Sequence, residues 1–161
     1  MRLERVNGNN IWELMELKVK DEQASFVASN TTSILEAYIT TISGGYAMPF
    51  GIYIGNSPVG FLMIGFGHDD SWENPPSIAD GNYSLWRLMI DARYQGMGYG
   101  TQAVGLALDL IRTFPCGPAD FCWLSYEPDN RVARNLYHSY GFTETGEMDG
   151  EEVIAALELK G

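Results

Sequence analysis

Apolar positions along the chain change their period several times, and each change marks the start of an element. Leu3 to Val6 reads as a short strand, and Ile11 to Val19 carries Ile11, Leu14, Met15 and Val19 at helical spacing. A second helix is predicted over Ser33 to Thr41, with Ser33 as N-cap, Glu36 completing a capping box and Gly44-Gly45 beyond its end. Phe50 to Ile54 and Pro58 to Phe66 read as strands joined by a hairpin turn at Gly55-Asn56. Gly67 to Gly81, with its Gly, Pro, Asn and acidic residues, reads as a loop. Tyr83 to Ile90 is a strand, and Gly98 to Thr113 a helix with Val104, Ala107, Leu108 and Ile111 on one face. Phe121 to Tyr126 is again strand-like. Pro128-Asp129-Asn130 then announces a helix with Val132, Leu136 and Tyr140 as its apolar stripe and Gly141 as its C-terminal cap. Phe142 to Met148 and Val153 to Leu159 make a terminal antiparallel pair around Asp149-Gly150.

The order β-α-α-β-β-β-α-β-α-β-β predicts an α/β (α+β) fold with a mixed, mostly antiparallel central sheet flanked by helices. At 161 residues, 45% of them hydrophobic, one domain over the whole chain (1–161) is expected. A net charge of −11 argues against nucleic acid and against an anionic membrane surface, both of which call for clustered Lys and Arg. It suits a cationic substrate, and equally it suits plain solubility. The start of the chain lacks an apolar signal core, and no run of roughly 18 apolar residues occurs, so the cytoplasm is the expected compartment. Cys116 and Cys122 have no His or Cys cluster near them, which leaves neither a metal site nor a disulfide framework. Cys122 is expected to be a buried small hydrophobe and Cys116 a loop residue.

Candidate chemistry concentrates where the strand ending at Ile90 runs into Gln95-Gly96-Met97-Gly98-Tyr99-Gly100-Thr101 and a helix. Glycines at alternate positions permit φ > 0 and close backbone approach, and the helix start aims free N–H groups and a positive dipole end at the same spot. That layout cradles a phosphate. The spacing is not the dinucleotide Gly-x-Gly-x-x-Gly, Asp109, the acid nearest the place expected for a ribose contact, lies inside the same predicted helix, and no Gly-Lys-Ser/Thr follows.

The run Gln95 to Gly100 resembles the Gln/Arg-x-x-Gly-x-Gly/Ala pyrophosphate loop of the GNAT acetyltransferases. Asn130 to Phe142 resembles that family's Asn-x-x-Ala-x-x-Leu-Tyr-x-x-x-Gly-Phe segment, and the element order matches over nearly the whole chain. The resemblance implies the GNAT fold, acetyl-CoA as cosubstrate and no metal. It implies that Gln95, Gly96, Met97, Gly98, Tyr99, Gly100 and Thr101 hold the pyrophosphate. Leu88, Met89 and Ile90 would pair with the pantetheine arm as with an added strand, one amide polarising the thioester carbonyl. Asn130 is assigned to the pantetheine by the resemblance, and equally fits a helix N-cap through the same oxygen. Tyr137 is implied as the acid that protonates the leaving thiolate, with Tyr140 a core residue. GNAT proteins are often dimers, and the terminal strands are candidates for pairing between copies.

Asp21 to Ala28, Pro58 to Phe61, Leu85 to Asp91, Leu124 to Tyr126 and Thr145 to Glu147 resemble bacterial chains described as spermine/spermidine or diamine N-acetyltransferases. This implies a small amine acceptor, polyamines ahead of others. Where polyamine acetylases carry an acid in the strand before the cofactor loop, this chain has Trp86 and Arg87. A primary amine is protonated at neutral pH and must lose a proton to attack. Glu127 and Glu22 are the candidate carboxylates, with a plain surface role as the alternative. Trp86, Trp72 and Tyr46 are candidates for an apolar or cation-π acceptor groove; His68 and His138 receive no role. An antibiotic amine, a protein amino group, or a non-catalytic acyl-CoA-binding module are the competing readings.

Overall fold

Seven strands form one sheet, lying side by side in the order Arg2–Arg5, Tyr46–Ile54, Ser57–Phe66, Tyr83–Ile90, Phe121–Tyr126, Glu152–Glu158 and Thr143–Asp149, in a computed structural model that describes residues 1–160. In chain order the elements are β1 (Arg2–Arg5), α1 (Ile11–Met15), α2 (Asn30–Ile42), β2 (Tyr46–Ile54), β3 (Ser57–Phe66), β4 (Tyr83–Ile90), α3 (Tyr99–Ile111), β5 (Phe121–Tyr126), α4 (Arg131–Ser139), β6 (Thr143–Asp149) and β7 (Glu152–Glu158). Short 3₁₀ turns occupy Asp21–Gln23, Ser77–Ala79 and Ala92–Tyr94. Each neighbouring pair is antiparallel except β4 with β5. The expected mixed, mostly antiparallel sheet is therefore present.

Strand alternation sends side chains to two cores. One, under α3 and α4, gathers Leu62, Ile64, Tyr83, Leu85, Val104, Leu108, Leu124 and Phe142. The other, under α1 and α2, gathers Leu14, Leu17, Ala37, Phe61, Met63 and Met89. Strand β4 changes parity between them. Tyr83 and Leu85 belong to the α3 and α4 side, and past the next residue it is Leu88 and Ile90 that do. The register supplies the cause: Ile64 pairs with Leu85 and Met63 with Arg87, so Trp86 is an extra residue, a bulge. Trp86 and Arg87 thus both fall on the α2 side, where Arg87 Nη2 donates to both carboxylate oxygens of Glu36 at 3.0 and 3.2 Å.

The same stretch is where β4 leaves β5. Their parallel pairing covers only Tyr83 with Cys122 and Ser84 with Trp123, while β5 goes on pairing with β7 to Tyr126. Beyond Ser84, β4 keeps β3 on one edge and has no strand on the other.

Several expectations need correction. The first helix ends at Met15, short of Val19, because the chain must turn outward: Lys18 N donates to Asp91 Oδ2 at 3.0 Å and Lys18 O accepts from Ala92 N. Helix α2 starts earlier than Ser33, with Ser29 as N-cap accepting from Thr32 N. Ser33 lies buried in the first turns with its Oγ unpartnered, and Glu36 is engaged by Arg87 rather than by a capping box. Strand β2 begins at Tyr46 because its first half also pairs with β3. In α4 the buried face is Ala133, Leu136 and Tyr137, while Val132 is 77% exposed. Tyr140 is half-buried, its hydroxyl donating to Thr101 O at 2.5 Å. Cys122 is buried as expected, and that burial pushes its thiol up to about 12.

Asp91 locks the end of β4 in place. It is buried, and besides Lys18 N it accepts from Arg93 N at 3.0 Å and Arg93 Nε at 2.8 Å. Burial alone would raise its carboxyl; the Arg93 and Lys18 bonds outweigh it and hold the group below the ordinary carboxylate value. Such a group stabilises the fold above its unfolded pKa and stops doing so as the pH falls through the depressed folded one. Asp91→Asn should therefore cost about 2 kcal/mol at pH 7. In urea titrations the gap between parent and variant should close as the pH falls below about 4.

Candidate functional site

The parting of β4 and β5 leaves a cleft of about 840 Å³ facing α3 and α4. Leu88, Met89 and Ile90 of β4 line it, as do Gln95, Gly96, Gly98, Tyr99, Gly100 and Thr101 of the following turn. Glu127, Asn130 and Tyr137 complete the opposite wall. Met97 is absent from that lining and is 57% exposed. Glu22 lines no part of the cleft.

Two of the three glycines use their freedom. Gly96 and Gly98 sit at φ +77° and +80°, with Gly98 the residue that caps α3 without any side-chain bond. Gly100, which falls inside the predicted helix, is an ordinary residue of its first turn. The first N–H groups of α3 therefore point outward unpaired from a helix of 13 residues, at its positive end. Gln95 fixes the approach: its Nε2 donates to Ile90 O at 2.9 Å and to Gln23 Oε1 at 2.8 Å, and Gln23 Nε2 returns a bond at 3.1 Å. That amide pair ties the 3₁₀ turn at Asp21–Gln23 to the end of β4.

Asn130 Oδ1 caps α4 by accepting from Ala133 N at 3.2 Å, which leaves the amide nitrogen as the group a ligand can use. Tyr137 lies stacked on Tyr126 (6.2 Å, 22° between planes) and edge-on to Phe142. Burial, with a smaller contribution from Cys122, raises its phenol above the ordinary value, so it stays protonated throughout the neutral range. Tyr126 donates to Glu144 at 3.0 Å and Tyr140 to Thr101, so both of those hydroxyls are committed elsewhere.

On the α2 side of the same parting lies a second cavity of about 560 Å³. Tyr46, Trp72 and Trp86, the aromatics singled out in the sequence, all line it, with Trp72 stacked on Trp123. Four carboxylates face it, Glu36, Asp69, Asp149 and Glu152, against the single guanidinium of Arg87. Nε of Arg87 and Nε1 of Trp123 are buried without a hydrogen-bond partner. The two cavities share Leu85, Trp86, Arg87, Ser125 and Glu152. Sequence reasoning missed Glu152 and Asp149. They sit at a hairpin turn, and only the non-local pairing of β7 with β5 carries them to the site. No cluster of three or more His, Cys, Asp or Glu able to hold a metal occurs among the described residues. No helix among them is long and apolar enough to cross a membrane.

The family model described as acetyltransferase (GNAT) family matches residues 11–142. The chain belongs to the GNAT acetyltransferase family. This GNAT chain is 29% identical over 157 residues to the spermine/spermidine N(1)-acetyltransferase of Bacillus subtilis strain 168, covering 96% of each. Its fold matches that of an aminoglycoside acetyltransferase in complex with coenzyme A at TM-score 0.75 and 16% identity, over 97% of this chain and 93% of the other. It also matches a PaiA N-acetyltransferase from Thermoplasma acidophilum in complex with coenzyme A, at TM-score 0.65 and 14% identity over 98% of each.

The glycines of the GNAT loop make different demands. A Cβ at Gly98 meets nothing within 4 Å, so Gly98→Ala should lose about 1–2 kcal/mol through the left-handed backbone alone. At Gly100 a Cβ makes ordinary contacts at 3.8 Å with Ile90 and Leu136, and Gly100→Ala should be neutral or gain up to about 1 kcal/mol. Urea denaturation of the two variants checks the pair.

Proposed function

We propose that this GNAT acetyltransferase moves the acetyl group of acetyl-CoA to a primary amine of a small cationic acceptor, a polyamine or diamine foremost, by direct attack in a ternary complex. The observation that carries this reading is the continuity of an acid- and aromatic-lined cavity with a cleft built around an anion cradle. An acidic chamber concentrates ammonium groups, and aromatic walls accept both their charge and their methylene spacers. The name of the Bacillus relative supports polyamines as the acceptor class.

In this reading the amides of residues 95 to 101 hold the pyrophosphate, and Asn130 Nδ2 donates to the pantetheine. The free edge of Leu88, Met89 and Ile90 pairs with the arm. The nitrogen lone pair attacks the thioester carbonyl carbon, the oxyanion leans on a β4 amide, and the C–S bond breaks with its electron pair on sulfur. Tyr137 supplies the proton to that sulfur. Ordinary pKa values near ~10 and ~8.5 make full transfer uphill by roughly 2 kcal/mol, and burial of Tyr137 adds to that. The thiolate, however, forms in the same dry site and gains basicity from the same desolvation, which restores the match. Glu127 stands on the cofactor side, where a carboxylate relays protons to water. One proton per turnover leaves for solvent, since an ammonium becomes an amide and the thioester a thiol.

A second reading, an oxygen-rich antibiotic amine such as an aminoglycoside, is favoured by the buried partnerless donors at Arg87 Nε and Trp123 Nε1. Polyamines offer no acceptor oxygens to them. A thiol-release assay with acetyl-CoA across spermidine, diaminoalkanes and aminoglycosides separates the two, with spermidine or a diamine expected to rank first.

Tyr137→Phe should lower kcat by about 10²–10³. Calorimetry should find its acetyl-CoA affinity within a factor of two of the parent, and an unchanged kcat would point to the binding-module reading. For the parent, kcat/KM should rise from pH 7 to 9 as neutral amine accumulates. It should show no alkaline fall below pH 10, because the raised Tyr137 phenol keeps its proton there.

A further inference from the structure

The acetyl carbon carried down one cavity and the nitrogen entering from the other must meet at the wall both share. That wall consists of Leu85, Trp86 and Arg87 from β4, Ser125 from β5 and Glu152 from β7. Of these five, Glu152 is the one that carries negative charge and can accept a proton; a guanidinium never does so near neutrality. Glu127 lines only the cofactor cleft, and Glu36, Asp69 and Asp149 line only the acceptor cavity.

The surroundings of Glu152 hold its carboxylate in place without neutralising it. From β5, Ser125 Oγ donates to Oε2 at 3.2 Å. From β6, Asp149 is its direct cross-strand partner, a like-charge pair that disfavours the hairpin until a cation joins it. From β4, Arg87 acts on it at a distance, but its Nη2 is already bidentate to Glu36. Glu127, just past β5, adds a further negative charge.

We propose that Glu152 receives the ammonium group of the acceptor and takes the proton its nitrogen sheds on attacking the thioester. The assignment rests on the acetyl-transfer reading above. The ammonium gives one proton to the Glu152 carboxylate, and the freed lone pair forms the C–N bond. The C–S pair leaves on sulfur, which Tyr137 protonates. The remaining excess nitrogen proton restores Tyr137 through water, and Glu152 passes its own to solvent, so that one proton is released overall. Burial first, then Asp149 and Glu127, raise the Glu152 carboxyl against the lowering by Ser125 and Arg87. A base so raised lies closer to the amine it must deprotonate.

The test uses the full chain, acetyl-CoA and spermidine. Glu152→Gln should bind acetyl-CoA within a factor of two of the parent by calorimetry, yet lose about 10²-fold in kcat/KM at pH 7. The loss should shrink below about tenfold at pH 9.5, where more amine arrives already neutral, so the variant's pH profile is steeper than the parent's. Glu152→Asp, which keeps the charge one methylene short, should recover at least about tenfold over Gln at pH 7. A defect of equal size at both pH values, an unchanged kcat/KM, an Asp variant no better than Gln, or a loss confined to Glu127→Gln would each overturn the proposal. If the parent itself binds no acetyl-CoA or releases no thiol with any amine tested, it is the acetyl-transfer reading that fails, and this assignment with it.

Discussion

Everything at the site follows from two strands that begin as parallel neighbours and then stop pairing. A strand in the middle of a sheet that loses one neighbour exposes a row of N–H and C=O groups, each costing about 1–3 kcal/mol if buried and unmet. This chain holds that opening from both sides. The bulge at Trp86 bends β4, the Arg87–Glu36 pair draws it toward α2, Asp91 fastens its far end, and β7 keeps β5 in register. Such an edge accepts a strand-like ligand or water. Both cavities are the two sides of one gap, which is why they share a wall and why a cofactor and an acceptor can approach it from different directions.

The electrostatics divide along the same line. A chain of net charge −11 is a poor host for an anionic cofactor if charge is treated as a sum. The turn before α3, however, presents the oriented amides that follow Gly98, and their dipoles favour an anion over the first turn. Arg93, just before that turn in the chain, is committed to Asp91. On the α2 side four carboxylates face one guanidinium, a balance of charge that favours cations. In the proposed reaction short-range dipoles serve the anion and side-chain charges the cation, so the two demands do not compete.

The parts of this arrangement that were legible in the sequence are the ones set by local pattern. The strands at Tyr83 to Ile90 and Phe121 to Tyr126 were readable to the residue because apolar runs end there at turn signals. The glycine turn announced itself and Gly100 fell inside the predicted helix, whereas Gly98, read as the first helical residue, is the left-handed N-cap. The N-cap of α2 was misread because Ser33 and Glu36 satisfy the capping-box spacing. Ser29 and Thr32 offer a weaker pattern but lie at the true boundary, and Arg87 claims Glu36 from across the sheet. Val132 looked like core by its chemistry and faces the cleft by its phase. Glu152 was invisible for a deeper reason: what makes it a site residue is strand pairing more than 25 residues away in sequence, and no local period encodes that.

The tyrosine at the centre of the site shows why burial alone does not decide whether an acid is useful. Desolvation raises the phenol of Tyr137, which by itself makes it a weaker donor. In the acetyl transfer proposed above, the comparison that matters is with the coenzyme A thiolate, which in the same cleft would lose solvation as well. Desolvation penalises both anions, so what survives is the difference between their environments, and a hydrogen bond that strengthens as charge moves onto sulfur can meet most of the need. The ammonium side works by the opposite rule. In the proposal for Glu152 the negative charge is supplied in advance, with Asp149 across from it, so that the like-charge repulsion of the pair would be relieved as a cation enters. On these proposals one half of the gap answers a charge that appears during the reaction, and the other a charge that disappears.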